Sequence, residues 1–387
     1  VHGAAELNMQ AMDPRRYGEV HTNDWVHDRT HEATQHLFEI HPPGHCFESG
    51  RPLRTSAVHD RLAGKGAVFA EAMGWERPRW FSPTGEAERY SFRRNNSFDR
   101  VGGECRAVRE RVGVLDLSGF AKLEVSGRGA ADFLDGVVAN RLPRRDGGVV
   151  LAHILAPNGA IDAEMTITRL GPNRFYLLSG ASSEVRDHDL LNQNLKPGGN
   201  VKIANVTDAR GCLAITGPRA RDVLAQLTDA DLTSAGFPWL SARELEVAGY
   251  PALALRVSYA GELGWELHLP AEHVAKVYDA LFEAGEAHDI ADFGFYALNS
   301  LRMEKAYRGF GTELTNEVSP LDAGMARFVD WDKAEFLGRE ALLARRESGP
   351  VWDLLYGTID VADRDVVGSE PVLSGDKVVG SITSGAF

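Results

Sequence analysis

Between about residue 90 and residue 346 the apolar positions switch repeatedly between a period of two and a period near 3.6, and each switch marks an element. Ala121-Lys122-Leu123-Glu124-Val125 alternates as a strand, and Ala130, Phe133, Leu134 and Val137 share one face of a helix predicted over 129–138. Residues 149–155 and 163–170 read as two strands around Ala156-Pro157-Asn158-Gly159, a turn sequence that joins hairpins. Another strand is expected over 175–179 and a helix over 182–195. The pattern then starts again: a strand over 212–216, the turn Gly217-Pro218, and a helix over 219–227. This order repeats that of Leu123-Glu124-Val125-Ser126-Gly127 and its helix, which hints at an internal duplication within one α+β domain.

Outside that region the texture differs. Residues 1 to about 90 are rich in His, Arg, Pro and Trp and are broken by Asp13-Pro14, His41-Pro42-Pro43-Gly44 and Arg51-Pro52. One helix is predicted from 23 to about 40, and the rest reads as an irregular arm. From Pro350 onward the chain is strand-rich and forms a third unit. Its last strand, 378–384, leads into a glycine turn without further neighbours, which leaves an open sheet edge. The start at Val1, not Met, and this ending suggest a piece of something longer.

The 387 residues exceed what one hydrophobic core usually supports, so two or three packed units are expected. A net charge of −13, with basic residues only in isolated pairs such as Arg93-Arg94, Arg144-Arg145 and Arg345-Arg346, argues against a nucleic-acid partner. No apolar run is long enough to span a membrane, and Val1-His2-Gly3-Ala4 does not open a signal peptide. Cys46, Cys105 and Cys212 fit neither a disulfide framework nor a zinc site, which points to a reducing or redox-indifferent compartment. His27 and His31 lie four apart on the predicted helix, with His21 nearby, yet surface histidines are the plainer reading and no metal is assigned. Gly127-Arg128-Gly129-Ala130-Ala131 lacks the third glycine of a dinucleotide fingerprint, so the chain alone is not expected to hold a flavin.

Three strings carry chemistry. In Gly159-Ala160-Ile161-Asp162-Ala163-Glu164-Met165-Thr166 the two carboxylates are two apart and share one strand face with Thr166, either around a site or simply as the polar face of an edge strand. Ser258-Tyr259-Ala260-Gly261-Glu262-Leu263-Gly264-Trp265 braces an acid between glycines and aromatic residues, or else is a hairpin turn with an exposed Glu. Helix-forming Tyr296 to Lys305 runs into the glycine-broken Tyr307-Arg308-Gly309-Phe310-Gly311; here Leu298, Leu301 and Met303 read as core and Arg302 with Glu304 as an ion pair.

Together with Arg106-Ala107-Val108-Arg109-Glu110, Ser118-Gly119-Phe120-Ala121-Lys122 and Leu314-Thr315-Asn316-Glu317-Val318-Ser319-Pro320, these strings resemble the glycine-cleavage T-protein (aminomethyltransferase) family in the form found in dimethylglycine and sarcosine dehydrogenases. In the arm, Met12-Asp13-Pro14-Arg15-Arg16-Tyr17-Gly18, Gly50-Arg51-Pro52-Leu53-Arg54-Thr55-Ser56 and Gly74-Trp75-Glu76-Arg77-Pro78 are similar to the segment that joins the flavin domain to the folate domain there. The resemblance implies an α+β fold of three lobes around a central hole that admits tetrahydrofolate. It divides the chain into a linker arm (1–90), a folate-binding domain (91–346) and the start of a truncated C-terminal β-barrel (347–387), with FAD held only by a missing N-terminal domain. Glu164 matches the catalytic acid, which is Asp in the T-protein itself. Glu262 matches the acid that grips the pterin, and Tyr176, Tyr259, Trp265, Tyr307 and Arg308 are the other expected folate contacts. Leu298 departs from the pattern, which has an Arg near the folate tail, and Cys105 stands where related flavoproteins often have His. The implied activity is transfer of one carbon from an N-methyl amine, or its iminium, to tetrahydrofolate, in the cytoplasm or the mitochondrial matrix and beside a flavin domain in cis or in trans. A stand-alone transferase and a non-catalytic folate-binding or regulatory module are the alternatives.

Overall fold

The computed structural model describes residues 12–386; the first eleven residues of the arm and Phe387 lie outside the described residues. In the arm, α1 (Asn23–Gln35) begins with Thr22 Oγ1 accepting a hydrogen bond from the Trp25 amide (3.3 Å). It stops short of the expected end near residue 40, because Leu37, Phe38 and Ile40 stay exposed and Pro42-Pro43 follow, so no packing supports another turn. After α2 (His59–Gly64), β1 (Ala67–Ala72) and β2 (Trp75–Phe81) form a hairpin that the sequence pattern does not announce. Pro78 argues against a strand, but here it sits in a two-stranded ladder beside the register shift at Val68/Phe69.

Next come α3 (Phe98–Glu110), β3 (Gly113–Asp116), β4 (Ala121–Ser126), α4 (Ala130–Val137), β5 (Val149–Leu155), β6 (Ile161–Gly171), β7 (Arg174–Ser179), α5 (Glu184–Gln193) and β8 (Lys202–Asn205). The second round supplies β9 (Arg210–Thr216), α6 (Ala220–Leu224), β10 (Ala242–Val247), β11 (Tyr250–Leu255), β12 (Gly264–Pro270), α7 (Ala271–Gly285), β13 (Ala291–Asp292) and α8 (Phe295–Glu304). They are followed by α9 (Arg339–Ser348), β14 (Pro371–Ser374) and β15 (Lys377–Ser381).

Two sheets organise the centre. One has the strand order β5-β6-β7-β4-β8, the other β10-β11-β12-β9-β3-β13. Ala130, Leu134 and Val137 of α4 cover Val125, Ile154, Met165 and Ile167 of the first sheet. Val223, Leu224, Val274, Val277 and Leu281 of α6 and α7 cover Ile215, Trp265 and Leu267 of the second. The opposite faces meet through Val149, Tyr176, Ala242, Leu253 and Leu255. The repeat seen in the sequence has a structural counterpart: Gly127 after β4 and Gly217 after β9 both adopt positive φ, +116° and +126°. A side chain at either would strike backbone, at Asn200 and at Arg111 respectively.

The mixed α/β architecture with several sheets agrees with the expected class, and the C-terminal segment contributes the β14–β15 hairpin. Among the described residues no closed barrel forms; β15 pairs with β14 alone, and their faces remain exposed. A stretch this short has one hairpin's worth of alternation and no apolar face buried against a neighbour.

Candidate functional site

On β6, alternation sends Ala163, Met165 and Ile167 into the core under α4 and leaves Asp162, Glu164 and Thr166 on the other face, as the spacing predicts. The two acids then part company. Asp162 is engaged by the Arg186 guanidinium of α5. Glu164 instead lies opposite His153 of β5 in the ladder, and its Oε2 is 2.9 Å from His153 Nε2. The histidine side chain is fully buried while that of Glu164 is 16% exposed, so the carboxylate has an inner, braced oxygen and an open side. A carboxylate only accepts, so Nε2 carries the shared proton; buried Nδ1 has no hydrogen-bond partner among the described residues.

The segment after α8 packs over this hairpin. Phe310, Leu314, Leu321, Met325 and Phe328 join Leu151, Leu155 and Ile161 in one apolar cluster, and Phe328 meets the His153 ring edge to face at 6.1 Å. Tyr307 opens the segment and stacks on Tyr259 at 6.1 Å with planes 17° apart, while the Tyr259 hydroxyl donates to Arg308 O (2.8 Å). Arg308 staples the loop by donating from Nε to Ala323 O (3.1 Å), and burial beside Arg327 lowers its proton affinity. Desolvation, with added repulsion from Glu164 and Glu313, holds the Tyr259 hydroxyl above the usual phenol range.

Three residues singled out in the sequence take the following places. Trp265 faces neither solvent nor the space between the sheets: it is 0% exposed and packs on Phe237 at 6.2 Å beneath α6 and α7. The cause is strand parity, since Trp265, Leu267 and Leu269 form the helix-facing side of β12. Glu262 precedes that strand and sits at the rim, partly exposed, 3.6 Å from the Lys305 ammonium. Arg302 pairs with Glu313 (2.7 Å) rather than with Glu304, which meets Arg109 instead. Buried Tyr176 does reach the space between the sheets, through a 3.0 Å hydrogen bond from its hydroxyl to His268 Nδ1. Leu298 and Cys105 are core residues between α3 and α8.

The same parity that buries Trp265 turns Glu266 and His268 toward the inter-sheet face. His268 is hydrogen-bonded at both ring nitrogens, to Tyr176 at Nδ1 and to Glu266 Oε2 (3.4 Å) at Nε2. Because the carboxylate only accepts, Nε2 carries the proton and the Tyr176 hydroxyl donates to Nδ1. Burial lowers the His268 pKa, and burial raises the Cys212 thiol, 3.7 Å from Nε2, well above its ordinary range. Cys212, Glu266 and His268 are the one group of metal-competent donors among the described residues, with donor atoms within 4.8 Å of one another. Among the described residues Glu266 has that one long bond, so its largely buried carboxylate keeps unused acceptor capacity. Glu313, also absent from the sequence reading, accepts from Arg302, Gly309 N, Thr312 and Thr383. Burial alone would raise its pKa, but hydrogen bonds, led by one from Ser384, and the Arg302 charge outweigh burial and lower it.

Comparison with known proteins gives this geometry relatives. Residues 58–333 match the family model described as the GCVT N-terminal domain, and residues 2–56 match the FAD dependent oxidoreductase central domain. The chain is 38% identical over its whole length to mitochondrial dimethylglycine dehydrogenase of Mus musculus and 31% identical to mitochondrial sarcosine dehydrogenase of the same species. It spans only about half of each, 45% and 47% of their lengths. Among solved structures, the glycine cleavage system aminomethyltransferase T from Bartonella henselae is similar with a TM-score of 0.65 and 25% identity, over 77% of this chain and 76% of that one.

Proposed function

Because the chain belongs to the GCVT N-terminal domain family, we propose that it passes a one-carbon unit to tetrahydrofolate as the folate-binding part of a flavin-dependent N-methyl amine demethylase acting on a substrate such as dimethylglycine or sarcosine. The observation that carries the proposal is Glu164: an acid braced from behind by a buried imidazole and open on its other side. In this reading three lobes surround the folate site, the arm (1–90) connects to a flavin domain in cis or in trans, and the protein works in the cytoplasm or the mitochondrial matrix. Among the described residues no helix is long and apolar enough to cross a membrane. The match of residues 2–56 to a flavin-oxidoreductase domain favours this over a stand-alone transferase.

Tetrahydrofolate supplies two secondary amine nitrogens, and the donor is an iminium, a methylene carbon doubly bonded to a positively charged amine nitrogen. Overall the methylene group ends bridging the two folate nitrogens. Their two N–H protons end on the departing amine, which leaves as an ammonium ion with the single positive charge that the iminium brought, so atoms and charge balance. Positive charge stays near the reacting carbon throughout, and the Glu164 carboxylate stabilises it and relays the proton released from nitrogen. Glu266, rather than rim-placed Glu262, is the acid best situated to accept ring N–H donors of the pterin, with the Tyr176–His268 pair fixing its surroundings. The stacked Tyr259 and Tyr307 rings offer the flat apolar wall that a pteridine needs.

The test is titration calorimetry of the chain with tetrahydrofolate, alongside formation of 5,10-methylenetetrahydrofolate from a one-carbon donor. We expect binding, and we expect Glu164→Gln to slow transfer by about 10²-fold while changing affinity by less than about threefold. Absence of folate binding to the unsubstituted chain would refute the proposal.

A further inference from the structure

Resting on the reading of Glu164 as the acid of transfer, we infer that His153 is a positioning residue: it holds Oε2 of Glu164 so that Oε1 is presented to the reacting carbon. Three observations combine. The ladder sets the two residues directly opposite each other, with Nε2 and Oε2 2.9 Å apart. The imidazole is wholly buried and wedged against Phe328, so its orientation is fixed by packing. Among the described residues its buried Nδ1 meets no hydrogen-bonding group, so the bond to the carboxylate is the ring's one hydrogen bond to the rest of the described protein.

An imidazole in that place is otherwise unfavourable. A buried polar ring is favourable only where its N–H finds a partner, and Glu164 is that partner. What the histidine adds is control of a long side chain. Glu has one more rotatable bond than Asp, and a freely rotating carboxylate places its charge at the reacting centre only part of the time. A fixed N–H donor behind it removes that freedom, and the reach of Glu across the ladder to the buried ring is what makes the contact possible.

The experiment compares the unsubstituted chain with His153→Leu, His153→Gln, Glu164→Asp and the Glu164→Asp/His153→Leu double variant. Three quantities are read: the single-turnover transfer rate, the tetrahydrofolate Kd, and the ¹⁵N resonances of His153. His153→Leu is expected to slow transfer about 10- to 100-fold with Kd within about twofold. His153→Gln, whose amide N–H can replace Nε2–H, restores the rate to within about threefold. In the Glu164→Asp background the shorter acid no longer reaches residue 153, so His153→Leu adds less than about twofold. The His153 Nε2–H signal is expected in the unsubstituted chain and altered by Glu164→Asp, whether or not folate is present. An unsubstituted chain without transfer would refute the functional proposal itself. Normal transfer with a His153→Leu rate equal to it, a Gln variant as slow as Leu, or fully additive effects in the double variant would refute the positioning role alone.

Discussion

Replacing Glu266 and Glu262 separately by Gln decides which acid grips the pterin. The side chain of Glu266 is 11% exposed and makes one 3.4 Å contact to His268, whereas that of Glu262 is 26% exposed and faces Lys305, itself 40% exposed, across 3.6 Å of rim. A hydrogen bond to a charged, desolvated acceptor contributes about 1.5–3 kcal/mol, so Glu266→Gln should raise the tetrahydrofolate Kd roughly 10- to 150-fold. An exposed ion pair contributes about 0–1 kcal/mol, so Glu262→Gln should change it by less than about fivefold, and added salt should shrink even that. Gln keeps a carbonyl acceptor for His268 Nε2–H, so the melting temperature serves as a control for folding. Calorimetry at two ionic strengths reads both variants. A salt-sensitive loss of about tenfold or more at Glu262 with none at Glu266 would overturn the assignment.

Trp265→Phe tests the core placement of that ring: it opens a cavity at a fully buried site, so the change should cost about 1–3 kcal/mol in urea unfolding while leaving the folate Kd within about twofold. A Kd weaker by about tenfold would return Trp265 to the pocket wall. The depressed pKa of His268 makes stability depend on pH in a definite direction. Below the ordinary histidine value of about 6.5 the unfolded chain takes up a proton that the folded protein refuses, so stability falls as pH falls. Relative to His268→Phe, the unsubstituted chain should lose stability more steeply as pH falls from about 7.5 to about 5.5, and an unchanged difference across that range would show that His268 takes up its proton as readily in the fold as in the unfolded chain.

Much of the fold is legible because local pattern and tertiary packing agree. β4, α4, β5, β6 and β7 fall within a residue or two of their predicted limits, since each carries its own period and turn signal. The site is only partly legible, and the reasons are geometric. Counting outward from the Ala156–Gly159 turn pairs Leu155 with Ile161 and would set His153 opposite Ala163. The register shift at Ile154/Leu155 moves the partner to Glu164, and no residue in the sequence announces that shift. For β12 the signal was present: Trp265, Leu267 and Leu269 alternate as a core face, which obliges Glu266 and His268 to point the other way. Aromatic character drew Trp265 toward the pocket when parity placed it outside. Glu313 has no local signature at all, because its partners come from α8, from its own loop and from residues near the end of the chain.

That last arrangement has a mechanical meaning. Oε2 of Glu313 receives Arg302 of α8 and the amide of Gly309, while Oε1 receives Thr383, and Arg302 reaches on to Ser384. One carboxylate therefore ties three pieces of chain together: the helix, the loop that carries Tyr307 and Arg308, and the segment just beyond β15. Such a knot transmits force, since the segment cannot be pulled away without breaking a charge-assisted bond that also locates the loop. Whatever leans on β14 and β15 leans, through Glu313, on the loop that carries Tyr307 and Arg308, and the exposed ladder acts as a handle on a loop some seventy residues earlier in the chain.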